Sequence, residues 1–197
     1  MQLILIRHGQ PDVPAHGHTG NPPLTPRGHE QAAHAALALR CERVDRIVSS
    51  GMTRADETAA PLAGALDQPI NIITDLGEID RWGGEYASIE AIRHKGPEEW
   101  SKFLSGPLAY LGIDPEKFRS ETLAGFASVL SGGEEKTVAV FTHGFPINLL
   151  LSHALGLKDE ARFVPSYGSF TRLAGKSIDA LTVVSINESG HIPEGLK

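Results

Sequence analysis

Short apolar runs of strand length alternate along the chain with segments whose apolar residues recur at helical spacing, which predicts an α/β architecture with a largely parallel sheet. Leu3 to Ile6 is the first strand. Thr25 followed by Pro26 reads as an N-cap with proline at the first helical position, opening an alanine-rich helix to about Arg40. Val44 to Ser49 predicts a second strand, Met52 to about Leu66 a helix, and Pro69 to Ile73 a third, short strand. The run TVAVFT, Thr137 to Thr142, is the best candidate for a central strand; His143, Gly144 and a helix with Pro146 in its first turn follow it. Ser169 to Leu173 and Ala180 to Ile186, separated by Ala174-Gly175-Lys176, read as a strand pair forming the antiparallel edge of a mixed sheet.

Three stretches interrupt this alternation. Turn formers crowd the segment from Pro11 to Pro23, predicting a long irregular loop, and loops of that length in compact domains are usually functional or disordered. Asp75 to Gly84 carries three glycines and several charges and reads as a loop at a strand's exit. Residues 87–131 are polar and helical in pattern, broken at Gly96-Pro97, Gly106-Pro107 and Asp114-Pro115, and are expected to form a helical insertion or cap. With 197 residues, the chain is expected to fold as a single domain, 1–197.

Three of the predicted strands end in residues suited to one task. The first ends at Arg7-His8-Gly9, the second at Ser49-Ser50 with Arg54 in the next helical turn, and the TVAVFT strand at His143. In a parallel sheet these ends share one edge, where diverging loops leave a crevice for ligands. Guanidinium groups hold phosphate oxygens through paired, charge-assisted hydrogen bonds at any usable pH. A neutral imidazole beside such an anion can attack phosphorus, splitting one hard displacement into two easier ones. One histidine would then be the nucleophile and the other a donor to the equatorial oxygens. The leaving oxygen needs a proton, and Glu78 in the glycine-rich loop is the nearest candidate by position, with Asp80 and Glu85 as competitors.

Composition narrows the choice of ligand. A formal charge of -6 provides no basic field for nucleic acid, so an anionic ligand must be held by local arginines. The single cysteine, Cys41, excludes an internal disulfide and a cysteine-built zinc site and fits a reducing compartment. With no run of roughly 20 apolar residues and no cationic leader, the expectation is a cytoplasmic protein without a membrane partner. His16, His18, His29 and His34 suggest a metal-binding alternative, but without nearby thiolates or carboxylates they make a poor closed site.

The motifs RHG (7–9), LTPRGHEQA (24–32), SSGMTRADETA (49–59), LGE (76–78) and FTHG (141–144), in this order, resemble those of the histidine phosphatase superfamily, also called the phosphoglycerate mutase-like family. The resemblance implies a three-layer α/β/α sandwich and a phosphomonoester hydrolase that needs no metal or other cofactor. It implies His8 as the phosphorylated nucleophile, Arg7, Arg54 and His143 as the phosphate pocket with Gly144 beside it, and Glu78 as proton donor and then base. Many members carry Glu directly after RHG and Asn six residues beyond the histidine. Here Gln10 and Pro14 stand at those positions, leaving Gln10, Thr19 and Asn21 of the long loop as candidate phosphate contacts. The loop after Glu78 is also one residue longer to its glycine than the commoner form. Mutases of the family carry an Arg-Arg pair in a longer insertion, which Ile92-Arg93-His94-Lys95-Gly96-Pro97 lacks, so a phosphatase acting on a small phosphorylated substrate is expected. The alternatives are mutase-type phosphotransfer and a noncatalytic phospho-ligand binding protein. Substrate and oligomeric state are left open.

Overall fold

The computed structural model describes residues 1–13, 20–82, 89–132, 136–158 and 161–197. Its strands are β1 (Gln2–Arg7), β2 (Arg46–Ser49), β3 (Ile70–Ile72), β4 (Thr137–Thr142), β5 (Phe170–Ala174) and β6 (Thr182–Glu188). They form one sheet in the order β3-β2-β4-β1-β5-β6. The first four run parallel, and β5 is antiparallel to both β1 and β6, as the sequence pattern led us to expect. The last strand pair lies one to two residues further along the chain than its apolar pattern suggests. A 3₁₀ turn at Ile178–Ala180 takes up residues assigned to the final strand, and Gly175 lets the Ala180 carbonyl approach closely beneath it.

The helices are α1 (Pro26–Leu39), α2 (Thr53–Leu66), α3 (Ile89–His94), α4 (Pro97–Ser105), α5 (Pro107–Tyr110), α6 (Pro115–Leu130) and α7 (Gly144–Leu155). Alternation along β1 assigns them to layers, because successive side chains of a strand face opposite ways. Ile4 and Ile6 pack with Ala35 and Leu39 of α1 and Ala59 and Leu62 of α2. Leu3 and Leu5 pack on the other face with Phe126 and Val129 of α6 and Ile147 and Leu150 of α7. The result is a three-layer α/β/α sandwich.

Residues expected to form a helical insertion divide in two. Each predicted break is a real one, since α4, α5 and α6 all begin at the proline of their X-Pro step. Asp114 caps α6 by accepting from the N–H groups of Glu116 and Lys117. Yet α6 lies on the sheet, because its Phe126, Val129 and Leu130 supply an apolar face that its polar average conceals. The shorter α4 and α5 instead pack Phe103 and Leu108 against Phe118, Phe145 and Leu149, a third cluster beside the sandwich.

After β1 the chain turns towards α1 on one face, and after the adjacent β4 towards α7 on the other. A topological switch point therefore opens between these two strands, where open α/β sheets form ligand crevices. The register pairs Arg7 with Thr142, so His8 and His143 are the next residue on each strand. The N-terminus of α1 is pressed against the loop that carries them. Thr25 caps α1 by accepting from the Gly28 N–H, and its own N–H donates to the Gln10 carbonyl. A Cβ on Gly28 would lie 2.3 Å from the Gln10 oxygen, and one on Gly9 would lie 2.4 Å from the Gly28 oxygen. Neither glycine can carry a side chain without moving backbone.

Gly28→Ala sets two effects in opposition. Helix propensity favours alanine by about 1 kcal/mol, whereas overpacking against backbone costs about 1–3 kcal/mol. The rigid carbonyl should decide the sign, lowering stability by up to about 2 kcal/mol and Tm by up to about 8 °C. A thermal melt followed by circular dichroism checks this; an unchanged or raised Tm would mean that the loop yields freely.

Candidate active site

His8 sits one residue beyond β1, with its N–H donating to the Thr142 carbonyl at 3.0 Å and its side chain fully enclosed. Its ring Nδ1 lies 2.6 Å from the Gly9 carbonyl oxygen. A carbonyl only accepts, so Nδ1 carries the hydrogen and the neutral ring keeps its lone pair on Nε2. Gly9 is held in turn, its N–H donating to Thr58 Oγ1, whose hydroxyl donates to the Arg54 carbonyl. This chain ties the loop after β1 to the first turns of α2.

His143 follows β4, and its ring centroid lies 5.0 Å from that of His8. Its Nε2 is 2.8 Å from Ser50 Oγ at the end of β2, while its Nδ1 is buried with no hydrogen-bond partner among the described residues. A buried polar atom left without a partner is costly, and at a crevice it marks where a ligand atom belongs. Burial and the charges of Arg54 and Arg7 hold both imidazoles well below the ordinary histidine range, and His8 adds to the effect on His143. Both rings are neutral at physiological pH.

Two arginines supply the positive charge. Arg7 is almost enclosed; one nitrogen of its guanidinium donates to the Pro165 carbonyl at 2.6 Å, and the group stacks on Tyr167, 4.1 Å from the ring centroid. Arg54, in the first turn of α2, is completely buried and pairs with Asp80 at 2.8 Å. Glu78 lies nearby, buried beside Asp80. Its Oε2 accepts from the Phe145 N–H in the first turn of α7, and its Oε1 accepts from the Ile79 N–H. A Cβ on Gly144 would sit 3.7 Å from Glu78 Oε2 and 4.0 Å from Arg7 Nε, so this glycine separates carboxyl and guanidinium. Desolvation, followed by the charge of Asp80, pushes the Glu78 pKa up to about 7, outweighing the two N–H donors and Arg54.

The structure thus brings Arg7, His8, Arg54, Glu78, His143 and Gly144 to one place. The three contacts proposed from the long loop fare differently. Gln10 is half-buried against α1, with its N–H donating to Gln31 and its side-chain oxygen accepting from the Thr25 hydroxyl. The Asn21 side-chain oxygen accepts from the Thr53 N–H and so serves the start of α2. Thr19, like Pro14, His16, His18 and Glu85, lies outside the described residues. Among the described residues no group of three His, Cys, Asp or Glu side chains could hold a metal ion, and no helix is long and apolar enough to cross a membrane.

Tyr167 was missed. Its ring lies over Arg7 and 5.6 Å from the His8 ring. The signal was present in the topology: a strand antiparallel to β1 begins at the edge where β1 ends, so residues just before β5 border the crevice. Tyr167 and Gly168 do so, and the Gly168 N–H donates to the Arg7 carbonyl. Beyond Ser50 and Asp80 a cavity of about 520 Å³ opens, walled by Asn21, Met52, Thr74, Asp75, Trp82 and Glu121 among others.

A model of the histidine phosphatase superfamily (branch 1) matches residues 3–188. The chain belongs to that superfamily. Adenosylcobalamin/alpha-ribazole phosphatase of Escherichia coli (strain K12) is 27% identical over 167 residues, covering 82% of each chain. A probable phosphoglycerate mutase of Salmonella choleraesuis is 26% identical over 165 residues, covering 80% of this chain and 76% of the mutase. Among solved structures, a histidine-to-alanine mutant of Entamoeba histolytica phosphoserine phosphatase in complex with phosphoserine superposes with a TM-score of 0.75 at 25% identity. That match covers 98% of this chain and 99% of the other. Relatives named as a phosphatase and as a mutase thus both align with most of this chain.

The raised pKa of Glu78 makes a stability prediction. A carboxyl that titrates near 7 in the folded protein and near 4.5 unfolded binds more protons when folded, so its contribution falls as pH rises between those values. The full penalty is about 3 kcal/mol, less what Glu78→Gln loses because one N–H faces an amide that cannot accept from it. Glu78→Gln should be about 1–2 kcal/mol more stable than the wild type at pH 8, with the advantage lost and reversed towards pH 4, where only the missing hydrogen bond counts. Urea denaturation at the two pH values measures it; a difference independent of pH contradicts the assignment.

Proposed function

We propose that the protein hydrolyses small phosphomonoesters through a phosphohistidine on His8. The observation that carries this reading is the fixed tautomer of His8: Nδ1–H is held by the Gly9 carbonyl, leaving the Nε2 lone pair in a ring kept neutral by burial and two arginines. The phosphate would enter between Arg7 and Arg54, with His143 Nδ1 as a donor whose only missing partner is an acceptor oxygen. Ser50 supports this role, since donation from its hydroxyl to Nε2 leaves the hydrogen on Nδ1.

His8 Nε2 forms a bond to phosphorus as the ester P–O bond breaks, and Glu78 gives its proton to the leaving oxygen. A water then attacks phosphorus and Glu78 takes its proton, while the P–N bond breaks and His8 regains its lone pair. A carboxyl with a pKa near 7 serves both halves, because at neutral pH each protonation state is well populated. The net charge of -6 supports an anion held by these arginines rather than by a basic surface, and the exposed Cys41 after α1 fits a reducing, cytoplasmic setting. We take residues 1–197 as a single domain, because α6 and α7 each contribute to the sheet core and to the third cluster.

Phosphatase names among the relatives, and the absence of the Arg-Arg pair, favour water over a second substrate as final acceptor. The mutase name among them supports the other reading, and 3-phosphoglycerate with 2,3-bisphosphoglycerate primer separates the two. Release of inorganic phosphate is expected; rapid isomerisation without release would favour the mutase.

During turnover the wild type should accumulate an acid-labile, base-stable phosphoprotein that is absent from His8→Ala. Arg54→Ala should lose about 10²–10³ in kcat, the usual loss for one preorganised donor. Quenched-flow trapping and a phosphate-release assay in the presence of a chelator measure both. Full activity in His8→Ala would overturn the mechanism.

A further inference from the structure

Glu78 and Asp80 lie two residues apart and are both buried, yet the hydrolytic scheme uses only one of them. Asp80 is engaged otherwise: Oδ1 accepts from Arg54 at 2.8 Å, and Oδ2 is enclosed with no hydrogen-bond partner among the described residues. Its side chain is 1% exposed and that of Arg54 is 0% exposed. Two enclosed charges must answer each other, because removing one leaves the other uncompensated in a medium that screens it poorly.

We infer that Asp80 is a positioning residue for the hydrolysis: it fixes the Arg54 guanidinium towards the phosphate site, and it supplies the negative charge against which Glu78 keeps its proton. The inference rests on the proposed phosphohistidine reaction, and two geometric facts carry it. The ion pair links the first turn of α2 to the 3₁₀ turn at Ile79–Trp82, which fixes the distance between the phosphate pocket and the proton donor. That 3₁₀ turn also begins directly after Glu78, so one short segment carries both buried carboxyls, while α7 supplies the Phe145 N–H to Glu78. Among the described residues, the charged groups around Glu78 are Asp80 on its own segment, Arg54 on α2, and Arg7 across Gly144, with the neutral His143 at the start of α7. Asp80 opposes ionisation of Glu78, and Arg54 favours it. Burial and this one carboxylate together raise the Glu78 pKa.

The consequence is specific to the leaving group. Alkyl phosphates need a proton on the departing oxygen, whereas 4-nitrophenyl phosphate releases a stabilised phenolate and needs little help. Asp80→Asn should lose rate on both substrates because a neutral amide oxygen holds the Arg54 guanidinium less firmly than a carboxylate. The loss on an alkyl phosphate should exceed that on 4-nitrophenyl phosphate by about tenfold or more, within the usual contribution of a positioned acid. The alkaline limb of kcat/KM for the alkyl substrate should also move to lower pH, since Glu78 without its acidic neighbour ionises sooner. Asp80→Glu keeps the charge but displaces the oxygen that holds Arg54, so its limb should stay in place while inhibition by inorganic phosphate weakens.

Equal fractional losses on the two substrates with an unmoved limb in Asp80→Asn would overturn the inference, leaving a purely structural pair. If Asp80→Asn does not fold, the decision passes to Asp80→Glu, where a limb displaced to lower pH overturns the inference and an unmoved one with weakened phosphate inhibition upholds it. Phosphohistidine trapping on the wild type tests the underlying reaction separately, so failure of the reaction and failure of this role for Asp80 give different results.

Discussion

The parallel ladder between β1 and β4 ends with the His8 N–H donating to the Thr142 carbonyl at 3.0 Å. A slip of one residue in this pairing would carry Leu3 and Leu5 to the face now filled by Ile4 and Ile6 and reverse every other side chain of β1. Both faces are packed against helices, so the alternative register has no favourable packing. Because Arg7 pairs with Thr142, the same register puts His8 beside His143 and aims Arg7 at the start of α7. The proposed phosphate site therefore inherits its precision from the core. None of its three strand-end residues needs a flexible loop to reach the others.

Enclosure then sets the electrostatics. Two guanidinium groups in a buried pocket would be expensive if they were the only charges there. Asp80 answers Arg54 directly, and Tyr167 lays its ring face against Arg7. Burial, and after it the charge of the arginines, keeps both histidines neutral, which favours one as nucleophile and leaves the other with an unfilled donor. The same enclosure raises Glu78 towards neutrality despite the two N–H groups that favour its charged form. One cause, exclusion of water, thus produces a neutral base, a protonated acid and unscreened cations in the same small volume.

Much of this was legible in the sequence. Apolar strand runs, the Thr25-Pro26 cap and three X-Pro breaks carry local physics that tertiary packing did not override. Strand ends on one edge of a parallel sheet place Arg7, Ser50, Arg54 and His143 together by topology alone. The less legible features depend on contacts between distant segments. The apolar face of α6 is diluted by its charged residues, so its place on the sheet was not visible from composition. That Gln10 and Asn21 serve helix starts rather than present free side chains follows from how α1 and α2 meet the loop after β1. Tyr167 belongs to a turn whose importance comes only from the antiparallel direction of β5.

The position of α1 shows why the loop after β1 tolerates departures from the usual family pattern. Thr25, Gly28 and Gln31 all engage Gln10 or its neighbours through backbone groups, and Gly9 lies against the Gly28 carbonyl. Backbone contacts are indifferent to which side chain follows the RHG tripeptide, so Gln in place of Glu leaves the anchoring intact. Gln31 extends the same support to the far end of the described chain by donating to the Leu196 carbonyl. Main-chain geometry and close glycine contacts thus hold the loop that carries His8, while Arg54 and His143 are held through the side chains of Asp80 and Ser50. The side chains that wall the cavity beyond Ser50 and Asp80 lie outside the ladder that aligns His8 with His143.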